Sequence, residues 1–480
     1  MKVNEADIRL IVEKVINQLE KAVLSSGEKS VLQETRTSSR KGVFDDVEEA
    51  IRAARKAHQL FMEIPLDQRR EIIQAIRQTI LKEAERLSRM AVEETGLGRV
   101  EDKILKHRLV ALKTPGVEDV EPAVFTDEHG MTLVERAPYG VIASITPSTN
   151  PTTTVFNNAI SMISAGNAVI FHPHPGAKEC SNEAVALLNQ TIIETGGPEN
   201  LVCSISRPTM ESAQALMKHP EINLLVVTGG PAVVRVAMNS GKKVIAGGPG
   251  NPPCVVDETA DIEKAGRDIV LGAGFDNNIV CICEKEILAV TAIADQLKEV
   301  MKKNGAVELT SQQMKEVTSL VISEPGGPGK IGKPRKEWVG KDAYLIAQEI
   351  GLKVPRETRI LFGEVDREHP LVWTEQLLPV IPLVRFDNAQ EAMDFAVKCE
   401  HGFRHTAIMH SRNIAHLSQM AKMMNCSIFV KNGPAYSGLG MGGAGFTSFT
   451  IATPTGEGLT RARTFTRERR CTLVDYFRIV

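Results

Sequence analysis

The 480-residue chain lacks the marks of several functional classes. It has no charge excess: 57 Lys and Arg stand against 59 Asp and Glu, a formal net charge of -2. Neither nucleic acid nor an anionic membrane is therefore indicated as the main partner. Apolar runs such as LLVV after Asn223 fall far below the ~20 residues that a membrane-spanning helix requires. The opening MKVNEADIRL has no uninterrupted apolar core of the kind a secretion signal carries. The expectation is a soluble intracellular protein. No tandem repeat is found, and no CxxC pair recurs at zinc-like spacing. A cytosolic chain also keeps its thiols reduced, so neither a metal site nor a disulfide scaffold is expected.

At this length, with 42% hydrophobic residues, the chain can build two or more domains with sizeable cores. Near the start, Ile8, Ile11, Val12, Val15, Ile16 and Leu19 recur at helical spacing behind Asn4, a candidate N-cap. SSGEKSVLQETRTSSRKG follows as a polar linker without apolar period. Such a helix either folds back on its own domain or docks on another protein, and composition does not choose. Residues 45 to 113 then read as mostly helical. Beyond them the short apolar runs GVIASIT, NAVIFH, NLVCSIS, INLLVVT and KKVIAG alternate with helical stretches such as TVFNNAISMISA and TMESAQALMKH. That alternation predicts a parallel sheet covered on both faces. A second α/β series runs from PPCVV through EKEILAV to SIFVKN.

Two glycine-bearing stretches bear on cofactor binding. GLGMGG matches GxGxxG at Gly438, Gly440 and Gly443, but the β-like FTSFTIAT follows where that motif needs a helix. It is rejected as a dinucleotide fingerprint. INLLVVTGGPAVVRVAM is the better phosphate site. A strand runs into Thr228, Gly229 and Gly230, and Pro231 stands at the first helical position, where free N–H groups attract an anion. The alternative is a tight turn with nothing bound.

FDNNIVCICEK, residues 275 to 285, places Cys281 and Cys283 two positions apart. With metal and disulfide set aside, these thiols are either buried filler or a nucleophile. PYGVIASITPSTNP (138 to 151), SAGNAVIFHPHPGAK (164 to 178), VVTGG (226 to 230), GNPPCVVDETAD (250 to 261), FDNNIVC (275 to 281), TEQLLPVIP (374 to 382), HTAIMHS (405 to 411), SIFVKNGP (427 to 434) and TPTGEG (453 to 458) occur in this order. From about residue 43 onward the chain resembles the CoA-acylating aldehyde dehydrogenases of bacterial microcompartments, the branch acting on acetaldehyde or propionaldehyde.

The resemblance implies an α/β, aldehyde dehydrogenase-like fold: a Rossmann-like cofactor domain, a catalytic domain and an oligomerisation arm. Residues 1–21 become a targeting helix and 22–42 a flexible linker. Residues 43–249 bind NAD and coenzyme A, with 125–138 partly in the arm. Residues 250–434 form the catalytic domain, 435–465 return to the cofactor domain and 466–480 give an oligomerisation strand. The implied nucleophile is Cys281, while Cys283, His405 and His410 receive no role. Thr146, Pro147, Ser148, His172, Thr228, Gly229, Gly230, Gly247 and Glu375 are the implied cofactor-binding residues, Glu375 on the nicotinamide ribose. No metal is implied. The superfamily's oxyanion asparagine, in P-W-N-x-P, corresponds to Pro147-Ser148-Thr149-Asn150-Pro151, so the amide stands one residue late and Asn150 is the candidate.

Thiolate addition to an aldehyde gives a thiohemiacetal, and hydride loss to NAD then leaves a thioester on Cys281. Hydrolytic relatives carry a glutamate base in E-L-G-G, whereas here Ile245 and Ala246 precede Gly247-Gly248. Without a carboxylate to activate water, transfer to the thiol of coenzyme A is expected. His172-Pro173 replaces the Lys-Pro of many relatives, which favours NAD over NADP. Partners implied are a short-chain aldehyde, a shell protein docking residues 4–20, and further copies of the chain as a dimer or tetramer, inside the microcompartment lumen. The alternatives are a non-acylating enzyme releasing carboxylate, a reductase of acyl phosphates, and a non-catalytic cargo or assembly protein.

Overall fold

The computed structural model describes residues 40–480. The expected targeting helix and the linker as far as residue 39 lie outside the described residues. Two parallel sheets organise the rest. In the first, Val141–Ile145 lies at the centre, with Ala168–His172, Val202–Ile205 and Val43–Phe44 outward on one side, and Ile222–Thr228 and Lys243–Gly247 on the other. All five runs singled out in the sequence are strands of this sheet. VIASI and AVIFH are buried at every position, as strands covered on both faces must be. The helix Val47–Met62 packs on one side of Ala168–His172, while Pro151–Ser164 lies against that strand and the long helix Leu66–Thr95.

After Val141–Ile145 the chain builds outward one way, then returns to build the other. The strand order therefore reverses between Val141–Ile145 and Ile222–Thr228, and ligands of open α/β sheets bind at the carboxyl ends on either side of such a reversal.

The second sheet has seven parallel strands: Ala306–Glu308, Ile360–Glu364, Val380–Phe386, Glu286–Val290, Pro253–Val256, Thr406–His410 and Ile428–Lys431, in that spatial order. The chain then doubles back. Ile451–Ala452 lies beside Lys243–Gly247 of the first sheet. Thr466–Val474 pairs antiparallel with Gly130–Pro138, which also pairs with Ala123–Asp127. This three-stranded ribbon is largely open to solvent, with Val124, Phe125 and Val474 all exposed. Among the described residues no helix is long and apolar enough to cross a membrane.

Candidate active site

Phe275–Asn278 is a turn in which Asp276, Asn277 and Asn278 all take positive φ, at 47°, 54° and 65°. Aspartate and asparagine tolerate the left-handed region better than other side-chain-bearing residues, which accounts for the composition of FDNN. Three in a row still store strain, and each side chain is anchored by hydrogen bonds to surrounding residues. Asp276 accepts from the Arg99 N–H at 2.7 Å. Asn277 donates to Gly340 O and accepts from Arg99 Nε. Asn278 donates to Ala273 O and Glu284 O and accepts from Lys285 Nζ. The turn thereby delivers Cys281 as a half-buried thiol, while Cys283 is fully buried and points its sulfur toward Phe275 O at 3.8 Å.

Around Cys281 the fold gathers two ionisable groups from distant segments, Glu375 and His405, beside the nearby Lys285. A Cβ built on Gly250 would lie 2.9 Å from Cys281 O and 2.9 Å from His405 Cγ, so only glycine permits this approach. The Gly250 N–H donates to Glu375 Oε1 at 3.1 Å. His405 has Nδ1 2.9 Å from Thr406 Oγ1, and its buried Nε2 has no partner among the described residues. Burial lowers this imidazole to about 3, helped by the Lys285 ammonium, so it is neutral at physiological pH. Burial raises Glu375 to about 7 against the pull of Lys285. Burial also pushes the Cys281 thiol up to about 12, with the Glu375 charge adding and Lys285 and Lys106 opposing. No role had been read into His405 from the sequence. Its spacing from Cys281 carries no signal of proximity, because strand pairing in the second sheet brings them together.

Asn150 is the N-cap position of Pro151–Ser164, yet its side chain makes no capping bond. Its Oδ1 instead accepts from Lys106 Nζ at 2.5 Å. Lys106 and its neighbour Lys103 are buried and share the carboxylate of Asp276. Burial alone would raise Asp276, but the two lysines outweigh it and hold the carboxyl below its usual range. Neither lysine was singled out in the sequence. The available signal was a helix, VEDKILKHRLVALK, that buries Lys103, Lys106 and His107 while exposing Leu105 and Leu112.

The remaining sequence candidates lie along the carboxyl edge of the first sheet. Thr146, Pro147 and Ser148 leave the central strand; Thr228, Gly229 and Gly230 leave its neighbour across the order reversal; His172 and Gly247 end the flanking strands. The residues present suit a dinucleotide. Thr146 Oγ1 is buried without a partner among the described residues, and a Cβ on Gly230 would meet nothing within 4 Å. Gly230 also caps the exposed first turn of Pro231–Met238 without a side-chain bond. His172 is buried and tied through Nε2 to Ser212 Oγ at 2.8 Å, and burial lowers it to about 4. It offers a ligand no charge. Ile245 is fully buried in the core of the first sheet, and the Ala246 N–H donates to Thr455 Oγ1 of the returning segment. By contrast, Gly438 lies in the short 3-10 turn Ala435–Leu439, and Gly440 and Gly443 follow in a loop that leads to the strand Ile451–Ala452, not to a helix.

Comparison with known proteins adds the following. The aldehyde dehydrogenase family model matches residues 22–324. The chain is 50% identical over 478 residues to an acetaldehyde dehydrogenase (acetylating), EutE, of Escherichia coli strain K12, covering 99% of this chain and all of that one. It resembles the crystal structure of Rhodopseudomonas palustris propionaldehyde dehydrogenase with bound CoA and an acylated cysteine, with TM-score 0.88 and 48% identity over 90% of this chain and 98% of that one. A propionaldehyde dehydrogenase from the Clostridium phytofermentans fucose utilisation bacterial microcompartment superposes with TM-score 0.89 and 46% identity, over 92% of this chain and all of that one.

Proposed function

The chain belongs to the aldehyde dehydrogenase family, and from that premise we propose that it oxidises a short-chain aldehyde such as acetaldehyde or propionaldehyde with NAD and passes the acyl group to coenzyme A. The observation that carries this reading is the gathering of Cys281, His405 and Glu375 around Gly250, with no carboxylate at Ile245.

Cys281 gives up its proton to water and adds as the thiolate to the aldehyde carbon, leaving the negative charge on the former carbonyl oxygen. Lys285 and Lys106 favour the thiolate that burial disfavours. The oxygen of the resulting thiohemiacetal takes hydrogen bonds from the Cys281 N–H and from the Asn150 amide. Bound NAD would supply the hydride acceptor. Thr146, Pro147, Ser148, Thr228, Gly229, Gly230 and Gly247 at the sheet edge would hold it, with Glu375 as the residue for its ribose. The uncharged His172 gives a 2′-phosphate no cation, in keeping with NAD rather than NADP. The thioester left on Cys281 then meets the incoming thiol. His405 is neutral and its buried Nε2 has no partner among the described residues, which makes it the candidate to take the thiol proton. Residues 43–249 with 435–465 act as the cofactor domain and 250–434 as the catalytic domain. The exposed ribbon formed by Ala123–Asp127, Gly130–Pro138 and Thr466–Val474 joins copies into a dimer or tetramer.

One similar structure is of a propionaldehyde dehydrogenase from a bacterial microcompartment. The amphipathic stripe of residues 4–20 serves as the docking segment for a shell protein and places the enzyme in the lumen. The test of the reaction is NADH formation from acetaldehyde and propionaldehyde with and without CoA. Sustained turnover should require CoA and accumulate acyl-CoA. Free acid formed at the same rate without CoA would overturn the reading.

A further inference from the structure

The helix Val100–Lys113 grips both halves of the reaction centre with side chains from a single face. Toward the start of Pro151–Ser164, Lys103 Nζ donates to Thr149 O at 3.4 Å, Lys106 Nζ to Asn150 Oδ1 at 2.5 Å, and His107 Nε2 lies 2.9 Å from Thr152 Oγ1. Toward the nucleophile turn, both lysines donate to Asp276 Oδ2, and Asp102 Oδ2 accepts from the Asp276 N–H at 2.9 Å. Arg359 closes the outer side through Asp102 at 3.0 Å. Lys106 is fully buried, a costly place for an ammonium that has no task beyond packing.

An ammonium has only donors, so the Asn150 atom facing Lys106 must be the carbonyl oxygen. That leaves the two N–H donors of Asn150 on the opposite side, where their one contact among the described residues is Thr149 Oγ1 at 3.4 Å. We propose that Lys106, with Asp276 as its counter-ion, is a positioning residue for acylation. It fixes the Asn150 carboxamide with its oxygen turned inward and its N–H groups turned to the oxyanion, and it ties that orientation to the turn carrying Cys281. This rests on Asn150 being the oxyanion donor.

The test is a double-mutant cycle on the full chain with propionaldehyde, reading the single-turnover rate of NADH formation and, separately, NAD affinity by fluorescence quenching. Asn150→Ala should slow the single turnover about 100- to 1000-fold, the range for loss of one oxyanion donor. Lys106→Met should slow it at least tenfold with NAD affinity unchanged. Once each rate is divided by that variant's rate of Cys281 alkylation, which reads the pull of Lys106 on the thiolate, the double variant should be no slower than Asn150→Ala alone. Multiplying effects in the double variant, or parent-like turnover in Lys106→Met beside a slow Asn150→Ala, would overturn the positioning role while sparing the oxyanion assignment. Parent-like turnover in Asn150→Ala would overturn both. Should Lys106→Met fail to fold, Lys106→Met combined with Asp276→Asn, which removes the carboxylate left without its counter-ion, runs through the same cycle on an Asp276→Asn background with the same criteria.

Discussion

Two cysteines two positions apart have different fates because the strained turn before them exposes one and buries the other. For Cys281 the balance of effects favours the thiol: burial and Glu375 outweigh the two lysines. The sign of the pH dependence follows. Reaction needs thiolate, and far below its pKa the thiolate fraction grows about tenfold per pH unit. Alkylation of Cys281 by iodoacetamide in the ligand-free protein, followed by peptide mass spectrometry, should therefore keep rising between pH 7 and 10. A plateau near pH 8.5 would mean that Lys285 and Lys106 prevail over burial. Cys283 should stay unmodified throughout, since it has no exposure to the reagent.

At the scale of elements, the five longer strands of the first sheet, and PPCVV, EKEILAV and SIFVKN of the second, were legible as short apolar runs, most of them buried. Ala306–Glu308, Ile360–Glu364, Val380–Phe386 and Thr406–His410 were not read as strands. Nor was the two-residue strand Val43–Phe44, since two residues carry no period. The helix Val100–Lys113 was legible as a helix but not as a strut, because its inward stripe is charged and its leucines at 105 and 112 face solvent. Close helix packing also hides in the sequence. In Ile262–Ala273, a Cβ on Gly266 would lie 2.6 Å from Val300 Cγ1 and 3.2 Å from Met301 N on the neighbouring helix Thr291–Lys303. Gly266→Ala should thus destabilise the fold by about 1–3 kcal/mol despite alanine's better helix propensity, as forced overpacking does. Urea unfolding would read this as a lowered midpoint. A raised midpoint would show that the two helices can separate at little cost.

The whole molecule is laid out so that segments far apart in sequence complete one another. Ile451–Ala452 returns to the edge of the first sheet, and Thr466–Val474 pairs with residues 130–138 laid down more than three hundred positions earlier. The N-terminal stripe stands outside this scheme. If it docks on a shell protein, deleting residues 1–20 should leave kcat and KM of the purified enzyme unchanged while abolishing co-purification with shells. A deletion that removes turnover would instead favour a helix folded back on its own domain.

Periodicity and local residue identity act over a few residues, so the sequence alone determined the alternating strands and helices of the first sheet and the absence of a carboxylate ahead of Gly247-Gly248. The burial of Lys106 was decided elsewhere. An ammonium survives inside a protein only where a counter-ion and acceptors meet it, and here Asp276 arrives from 170 positions away and Asn150 from 44. The pairing of His405 with Cys281 has the same origin, in a sheet whose strand order does not follow the order of the chain.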